Sequence, residues 1–588
     1  MILGSGAGDT VGANIQIQAT TYVGNMETST QPFRDRPMME EAYQRRLFAF
    51  WLALALFLTV WYRWTTAERP YVYAHAWGSS DVATMARSFA NNGILALGGV
   101  PINNNPPLGL KPSAYTHWPP LLPMILAECF RVFGESEATA HRLMLAMALA
   151  TAFLLFWITD LSLGRTAACL AAFCWLTLPT VARWGHLVTQ ESPAILFMLA
   201  ALLSFLKATV TDGIRWPWAL SGGLAMALAA WSSWEAVFLA PGLLIAAWWN
   251  RRRSERRLAI IYCVVAVIAV LSIFACYGWK YPDLTLDALQ TAKFRMGLAN
   301  TYSTQLLHRH SAEDSMNLVG IVMNLSRNHW EGIGLLGLGA TAWAIFSGLE
   351  ARKRGKRGAH ALVFCGLLAP WLLWLLLMPN DVANHTFELL IAAPMVAMSL
   401  AWGGKQALDA LARSDQGHVG LRRLVILLVV PFLMLGSFGE LLANLELHRG
   451  TGWMRWLPLA QMRPELTKPD EFVRFGTELR EACAPDAVIL SPIESMVAVY
   501  YSRRHIIRVI ENDGVLEVAV PQAAAAFPGS PLYLALQPKE TYISHFPRAL
   551  SRYPALKSTP DLILLDLEQK RAGQDNGKSK EDVRTENR

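Results

Sequence analysis

Charge is what this 588-residue sequence has least of. Asp, Glu, Lys and Arg make up 16% of it, against about 25% in ordinary soluble domains. Hydrophobic residues reach 53% and the mean hydropathy is +0.27, which marks a membrane chain with room for one soluble domain besides. Cysteine is sparse too: seven residues, at 129, 169, 174, 263, 276, 365 and 483. Their spacing suits neither a zinc site nor a disulfide framework. Six read as small buried hydrophobes inside apolar runs, and Cys483 has no cysteine partner in the soluble part. No glycine loop cradles a nucleotide phosphate, no Ser-His-Asp set can be placed, and there is no Asp-X-Asp pair. The first 38 residues lack an apolar stretch and so do not form a signal peptide. They are expected to be disordered, or an over-long start with Met26 or Met38 as the initiator. The tail after Leu567 is charged and apolar-poor, and is also expected to be disordered.

The 22 tryptophans suit residues at lipid–water interfaces. Apolar runs near 47–63, 139–160, 165–182, 191–208, 217–233, 236–249, 258–278, 331–349, 360–378, 386–403 and 423–443 approach the roughly 17–25 residues needed to cross a bilayer. The run Pro119–Gly134 is ambiguous, being short and carrying Pro119, Pro120, Pro123, Glu128 and Arg131. Charge decides how to count it. Basic residues at 45–46, 251–257, 352–357 and 422–423 should all face the cytoplasm, and they share one side only if 119–134 does not cross. It is therefore expected to be an interfacial helix, leaving about eleven crossings with the N-terminus inside. The net charge of +7 is accounted for by these flanking clusters and is no nucleic-acid signal.

From about residue 444 the pattern changes. Asp486–Leu490, His505–Ile510, Leu532–Leu536 and Leu562–Leu567 read as strands, with helices near 495–501, 515–526 and 541–553. Strands alternating with helices imply a small α/β domain, which this topology makes extracytoplasmic. The expected organisation is a segment 1–38, a membrane domain 39–443, an α/β domain 444–567 and a tail 568–588.

The polar chemistry gathers on the outer side. A loop between the first spans holds Asp81, within Gly78-Ser79-Ser80-Asp81-Val82, and then Tyr115-Thr116-His117-Trp118-Pro119-Pro120-Leu121. Asp81 suits a general base for a hydroxyl or amine nucleophile. Equally, Ser79, Ser80 or Asp81 would cap a helix through Ala83–Asn91. His117, held rigid by Pro-Pro, can donate to a phosphate with Lys111 nearby, or belong to an interfacial aromatic belt. Glu191 opens an apolar span, where the helix dipole favours an acid. Glu388, in Asn384-His385-Thr386-Phe387-Glu388, lies one turn inside another span, at a depth where ionisable groups are costly and functional. Glu235, at the outer boundary Trp231–Glu235, is a weaker candidate of the same kind. Between residues 279 and 330, Lys293, Arg295, His308, Arg309 and His310 offer cations to an anionic ligand or simply form a solvated surface. The sequence requires no metal or other cofactor, although Asp81 and Glu191 together could ligate a divalent ion.

The order of these features resembles the GT-C membrane glycosyltransferases that use polyprenyl-phosphate sugars. It is similar to the branch holding lipid A aminoarabinose transferases and protein O-mannosyltransferases. The resemblance is carried by Asp81-Val82-Ala83-Thr84-Met85-Ala86-Arg87, the Pro-Pro-Leu helix, Phe133–Leu143, the helix ending at Leu178-Pro179, and Glu191 at the next span. In that family the first-loop acid activates the acceptor, a role that falls to Asp81. The second outer acid maps to Glu191, and a Lys or His directly before Pro-Pro contacts donor phosphate. Here Trp118 stands in that place and His117 one position earlier; Val82 stands where many relatives have Glu. The resemblance implies an inverting hexosyl- or pentosyltransferase in a bacterial inner or plasma membrane. Asp81 and Glu191 would be catalytic, and His117, Lys111, His385, Arg295, Tyr115 and Glu388 would serve the donor. Its partners would be a polyprenyl-phosphate-linked sugar, a lipid, polysaccharide or protein acceptor, and membrane lipid. A transporter or flippase for an amphipathic lipid-linked substrate is the competing class, but no repeated halves are visible and the acids sit at the outer boundary rather than the midplane.

Overall fold

The structure is a computed structural model that describes residues 36–71, 76–103, 114–210, 213–282, 359–379, 385–413, 471–493, 495–507 and 512–569, with isolated positions between 293 and 382. Lys111, Arg295, the spans expected at 331–349 and 423–443, and the terminal segments before 36 and after 569 lie outside these, apart from single residues.

The membrane part is a helical bundle. Its described helices are α1 (Arg36–Thr65), α2 (Ala76–Asn92), α3 (Leu121–Phe133), α4 (Glu137–Leu163), α5 (Arg165–Thr177), α6 (Pro179–Trp184), α7 (Glu191–Ala208), α8 (Trp216–Ser232), α9 (Leu239–Asn250), α10 (Arg253–Lys280), α11 (Ala359–Leu377) and α12 (Ala393–Arg413). Short 3-10 turns at Glu235–Phe238 and Thr386–Ala392 lead into α9 and α12. Among the described residues, five helices are long and apolar enough to cross a membrane, and the apolar helices around α5, α9 and α11 are shorter. Ile260, Ile261, Val264, Val267, Ile268 and Leu271 of α10 stand exposed, the outward apolar face expected of a helix solvated by lipid. The protein is thus an integral membrane protein.

Local chemistry sets the boundaries. Ser136 caps α4 by accepting the Thr139 N–H at 3.1 Å, which ends the α3–α4 turn. The run expected as one span over 165–182 is broken at Leu178-Pro179: proline has no N–H to continue the ladder and opens α6 instead. The carbonyls at the end of α6 are held by a side chain from α1, Arg63, which donates to Val181 O at 2.9 Å and Gly185 O at 2.8 Å. Packing inside the bundle uses missing side chains. A Cβ on Gly222 of α8 would lie 1.6 Å from the Tyr262 hydroxyl of α10, and one on Gly242 of α9 would lie 2.6 Å from Ala369 of α11. Small residues let helices approach closely where lipid supplies no hydrophobic drive.

α3 has 13 residues and so spans about 20 Å, too little for a hydrocarbon core of about 30 Å. It lies against α2, burying Leu122, Leu126, Ala127 and Phe130, and its Arg131 donates to the carbonyls of Phe89 and Ala90 at the end of α2.

Beyond the bundle, α13 (Glu471–Ala482), α14 (Met496–Ser502) and α15 (Asp513–Ala526) surround a five-stranded sheet of β1 (Val488–Leu490), β2 (His505–Ile507), β3 (Leu532–Leu536), β4 (Ala555–Ser558) and β5 (Ile563–Asp566). The strand order is β2-β1-β3-β5-β4, parallel across β2-β1-β3 and antiparallel across β3-β5-β4. Three expectations need correction here. Helix α13 and strand β4 were not foreseen, and the helix expected over 541–553 is two short pieces, Glu540–Ile543 and Pro547–Arg552, separated where Pro547 starts the second. β4 escaped because most of its side chains are exposed, so it carries no alternating apolar signal.

Candidate active site

Asp81 sits within α2, which begins at Ala76. That places the carboxylate in the second helical turn and corrects the alternative in which Ser79, Ser80 or Asp81 caps a helix from Ala83. The two serines are occupied otherwise. Ser80 Oγ donates back to Ala76 O at 2.8 Å, the local bond that serines make inside helices. Ser79 Oγ accepts the backbone N–H of Val188 at 3.0 Å, tying α2 to the segment that leads into α7. Two residues past Ser79 comes Asp81, and three past Val188 comes Glu191, so one hydrogen bond couples the two chain segments that bear these acids.

Asp81 lines a cavity of about 470 Å³, its open mouth included, with Trp77, Tyr115, Trp118, Phe387, Thr189 and Gln190 among its walls. Its walls are mostly apolar and aromatic with a few polar groups, the usual make-up of small-molecule sites. Four carboxyl groups near the cavity's walls are nearly sealed: Asp81 is 3% exposed, Glu388 2%, Glu235 1% and Glu191 0%. Burying an acid is costly unless it is partnered, and partners are visible. The Trp374 indole donates to Glu388 Oε2 at 2.9 Å, His385 Nδ1 lies 3.6 Å from Glu388 Oε1, and Ser233 donates to Glu235. Glu191 occupies the first turn of α7, where the backbone N–H groups favour negative charge.

The sequence-predicted residues converge in part. Tyr115 lines the cavity with Asp81, and Gln190, directly before Glu191, lines the other side. His117 is not a wall residue. Its ring packs on Tyr115 at 4.8 Å between centroids, and its carbonyl accepts the Trp234 indole N–H at 2.8 Å. His385 stands behind Trp77, with ring centroids 6.2 Å apart, and beside Phe387 at 5.3 Å. Glu388 is reached through Trp374, which stacks at an angle with Trp118 at 6.2 Å. Trp77, Thr189, Gln190, Phe387 and Trp374 went unrecognised; the first four sit within four residues of a charged candidate, a signal that could have found them, whereas Trp374 lies 14 positions from Glu388 and carried none. Among the described residues, no three His, Cys, Asp or Glu side chains gather to hold a metal ion.

The segment joining α6 to α7 also holds His186. Burial, with Arg63, His141 and Arg69 nearby, pushes its imidazole down to about 3, so it is neutral near pH 7.

A helical bundle with a short helix laid along α2, a cavity walled by α2 and an appended α/β unit is a fold that solved membrane-protein structures share. Residues 117–279 match the family model described as dolichyl-phosphate-mannose-protein mannosyltransferase. Among solved structures, ArnT from Cupriavidus metallidurans, crystallised with undecaprenyl phosphate, is similar with a TM-score of 0.55 at 15% identity, over 88% of this chain and 97% of that one. The oligosaccharyltransferase AglB from Archaeoglobus fulgidus, in complex with an inhibitory peptide and a dolichol-phosphate, is similar with a TM-score of 0.51 at 12% identity, over 83% of this chain and 69% of that one. No curated protein sequence matches the chain.

Proposed function

We propose that this protein is an inverting glycosyltransferase that moves a sugar from a polyprenyl-phosphate donor to an acceptor at the outer face of the membrane. The observation that carries the reading is Asp81: a sealed carboxylate in mid-helix, with no capping duty, on the wall of an aromatic cavity. Its setting is a fold shared with ArnT, whose solved structure holds undecaprenyl phosphate.

In this scheme Asp81 accepts the proton of the acceptor hydroxyl or amine as that atom attacks the anomeric carbon. The bond from the anomeric carbon to the phosphate oxygen breaks on the opposite face, inverting the centre and releasing polyprenyl phosphate. Negative charge grows on that phosphate in the transition state, where positively charged groups help most. His385 is the described candidate for this duty, braced by Glu388, with Lys111 and Arg295 as candidates outside the described residues. His117 serves less directly, through its packing on Tyr115, which faces the sugar. Glu191 orients the sugar or acceptor from the start of α7. The scheme needs no metal.

The test is Asp81→Asn. The substitution keeps the shape and removes the base, so transfer from a lipid-linked sugar donor should fall by about 100-fold or more, a typical general-base contribution, with expression unchanged. Near-normal turnover would overturn the assignment.

A further inference from the structure

The end of α2 is gripped from outside the membrane bundle. Arg87, buried on α2, donates through Nε to Glu135 Oε1 at 2.8 Å and through a terminal nitrogen to the carbonyl of Tyr500 in α14 at 3.0 Å. Its guanidinium also lies 4.5 Å from the Tyr500 ring centroid. Arg503, just past α14, reaches the same Glu135 oxygen at 3.3 Å. On the near side of α2, the Tyr501 hydroxyl accepts the Tyr71 N–H at 3.0 Å, and Tyr71 packs edge-on against Tyr500 at 5.1 Å. Val497 and Tyr500 bury themselves in one apolar cluster with Val82, Met85, Ala86 and Phe89 of α2. The α/β unit therefore docks on the very helix that carries Asp81.

Arg87 lies six positions after Asp81, which puts them about 120° apart around the axis and about 9 Å along it. Arg87 meets α14 while Asp81 lines the cavity, and Val82 and Met85 belong both to the cavity wall and to the cluster with α14.

We propose that Arg87 is a positioning residue, through which the C-terminal α/β unit fixes the placement of α2 and hence of Asp81 in the cavity. The proposal rests on the reading of Asp81 as the base. It gives the C-terminal unit a part in transfer without a contact to substrate. A buried arginine shared between a carboxylate and a carbonyl is hard to replace: lysine keeps the charge but loses the planar fork and the ring contact.

The test uses the full-length protein in nanodiscs, as Arg87→Met, Arg87→Lys and Tyr501→Phe. Hydrogen exchange is read at the α2 amides from Ser79 to Phe89, binding is measured with undecaprenyl phosphate as probe, and transfer is followed from an undecaprenyl-phosphate sugar. Exchange in α2 should rise about tenfold or more in Arg87→Met with α7 unmoved. kcat should fall about 10–100-fold while donor KM and undecaprenyl phosphate affinity stay within about threefold. Arg87→Lys should recover part of both changes, and Tyr501→Phe, which loses one hydroxyl and should fold, should shift both in the same direction. Unchanged α2 exchange in Arg87→Met and Tyr501→Phe overturns the proposal, as does a loosened α2 with full kcat. If the unaltered protein transfers no sugar at all, the transferase reading fails, while the exchange data still decide whether the α/β unit clamps α2.

Discussion

Serines 79 and 80 are neighbours, both buried, and both hydrogen-bonded, yet the same substitution should affect them very differently. Ser79→Ala removes the side-chain acceptor of the Val188 N–H and leaves that amide sealed from water, since Val188 is fully buried. An orphaned buried donor costs about 1–3 kcal/mol. Ser80→Ala removes a hydroxyl that donates to Ala76 O, a carbonyl already placed to bond within α2. Nothing is orphaned, and alanine is the better helix former, so the net change should stay within about 0.5 kcal/mol. Thermal unfolding in nanodiscs, followed by tryptophan fluorescence, should show Ser79→Ala lower by roughly 1–3 °C and Ser80→Ala nearly unmoved. Function should separate further. Because the Ser79–Val188 bond couples the segments bearing Asp81 and Glu191, its loss lets them slip, and a misplacement of about 1 Å costs about 100-fold in rate. Ser79→Ala should slow transfer about tenfold or more. Two alanine variants with the same midpoint and the same rate would refute the coupling.

Gly222→Ala should destabilise by about 1–3 kcal/mol or more through overpacking, since its Cβ would meet the Tyr262 hydroxyl at 1.6 Å and Ser204 Cβ at 2.9 Å. Gly223→Ala, whose nearest neighbour is 4.0 Å away, should be neutral or slightly stabilising in the same melt. The depressed imidazole of His186 makes stability depend on pH. The unfolded histidine takes up a proton below about 6.5 and the folded one resists until about 3. The stabilising contribution is therefore complete above pH about 6.5 and is lost as pH falls toward 3. Melting midpoints of His186→Gln should fall less steeply than those of the unaltered protein over that window, and parallel slopes would dismiss the assignment.

The sequence announced the helices best where apolar runs were long and uninterrupted. The span expected at 191–208 coincides with α7, and the strand Leu532–Leu536 with β3. Periodicity spoke less clearly where one residue changes the local rules. Pro179 divides a run that composition alone joins, and the exposed β4 has no apolar face to reveal it. At the site, acids stood out because charge is scarce in this chain. Asp81 and Glu388 were legible for that reason, whereas Trp77, Phe387 and Trp374 were lost among the other aromatics. What no linear reading could supply is the docking of α14 on α2, because Arg87 and Tyr500 lie 413 positions apart.

The hold of Arg63 on the end of α6 leaves a trace beyond this molecule. A Cβ at Gly185 would come within 2.6 Å of Val181 O and 2.8 Å of the Arg63 guanidinium, so a side chain at position 185 would crowd the end of α6 and push Arg63 off the carbonyls it holds. Descent should therefore show one rule: homologues that keep the arginine on these carbonyls should keep the glycine.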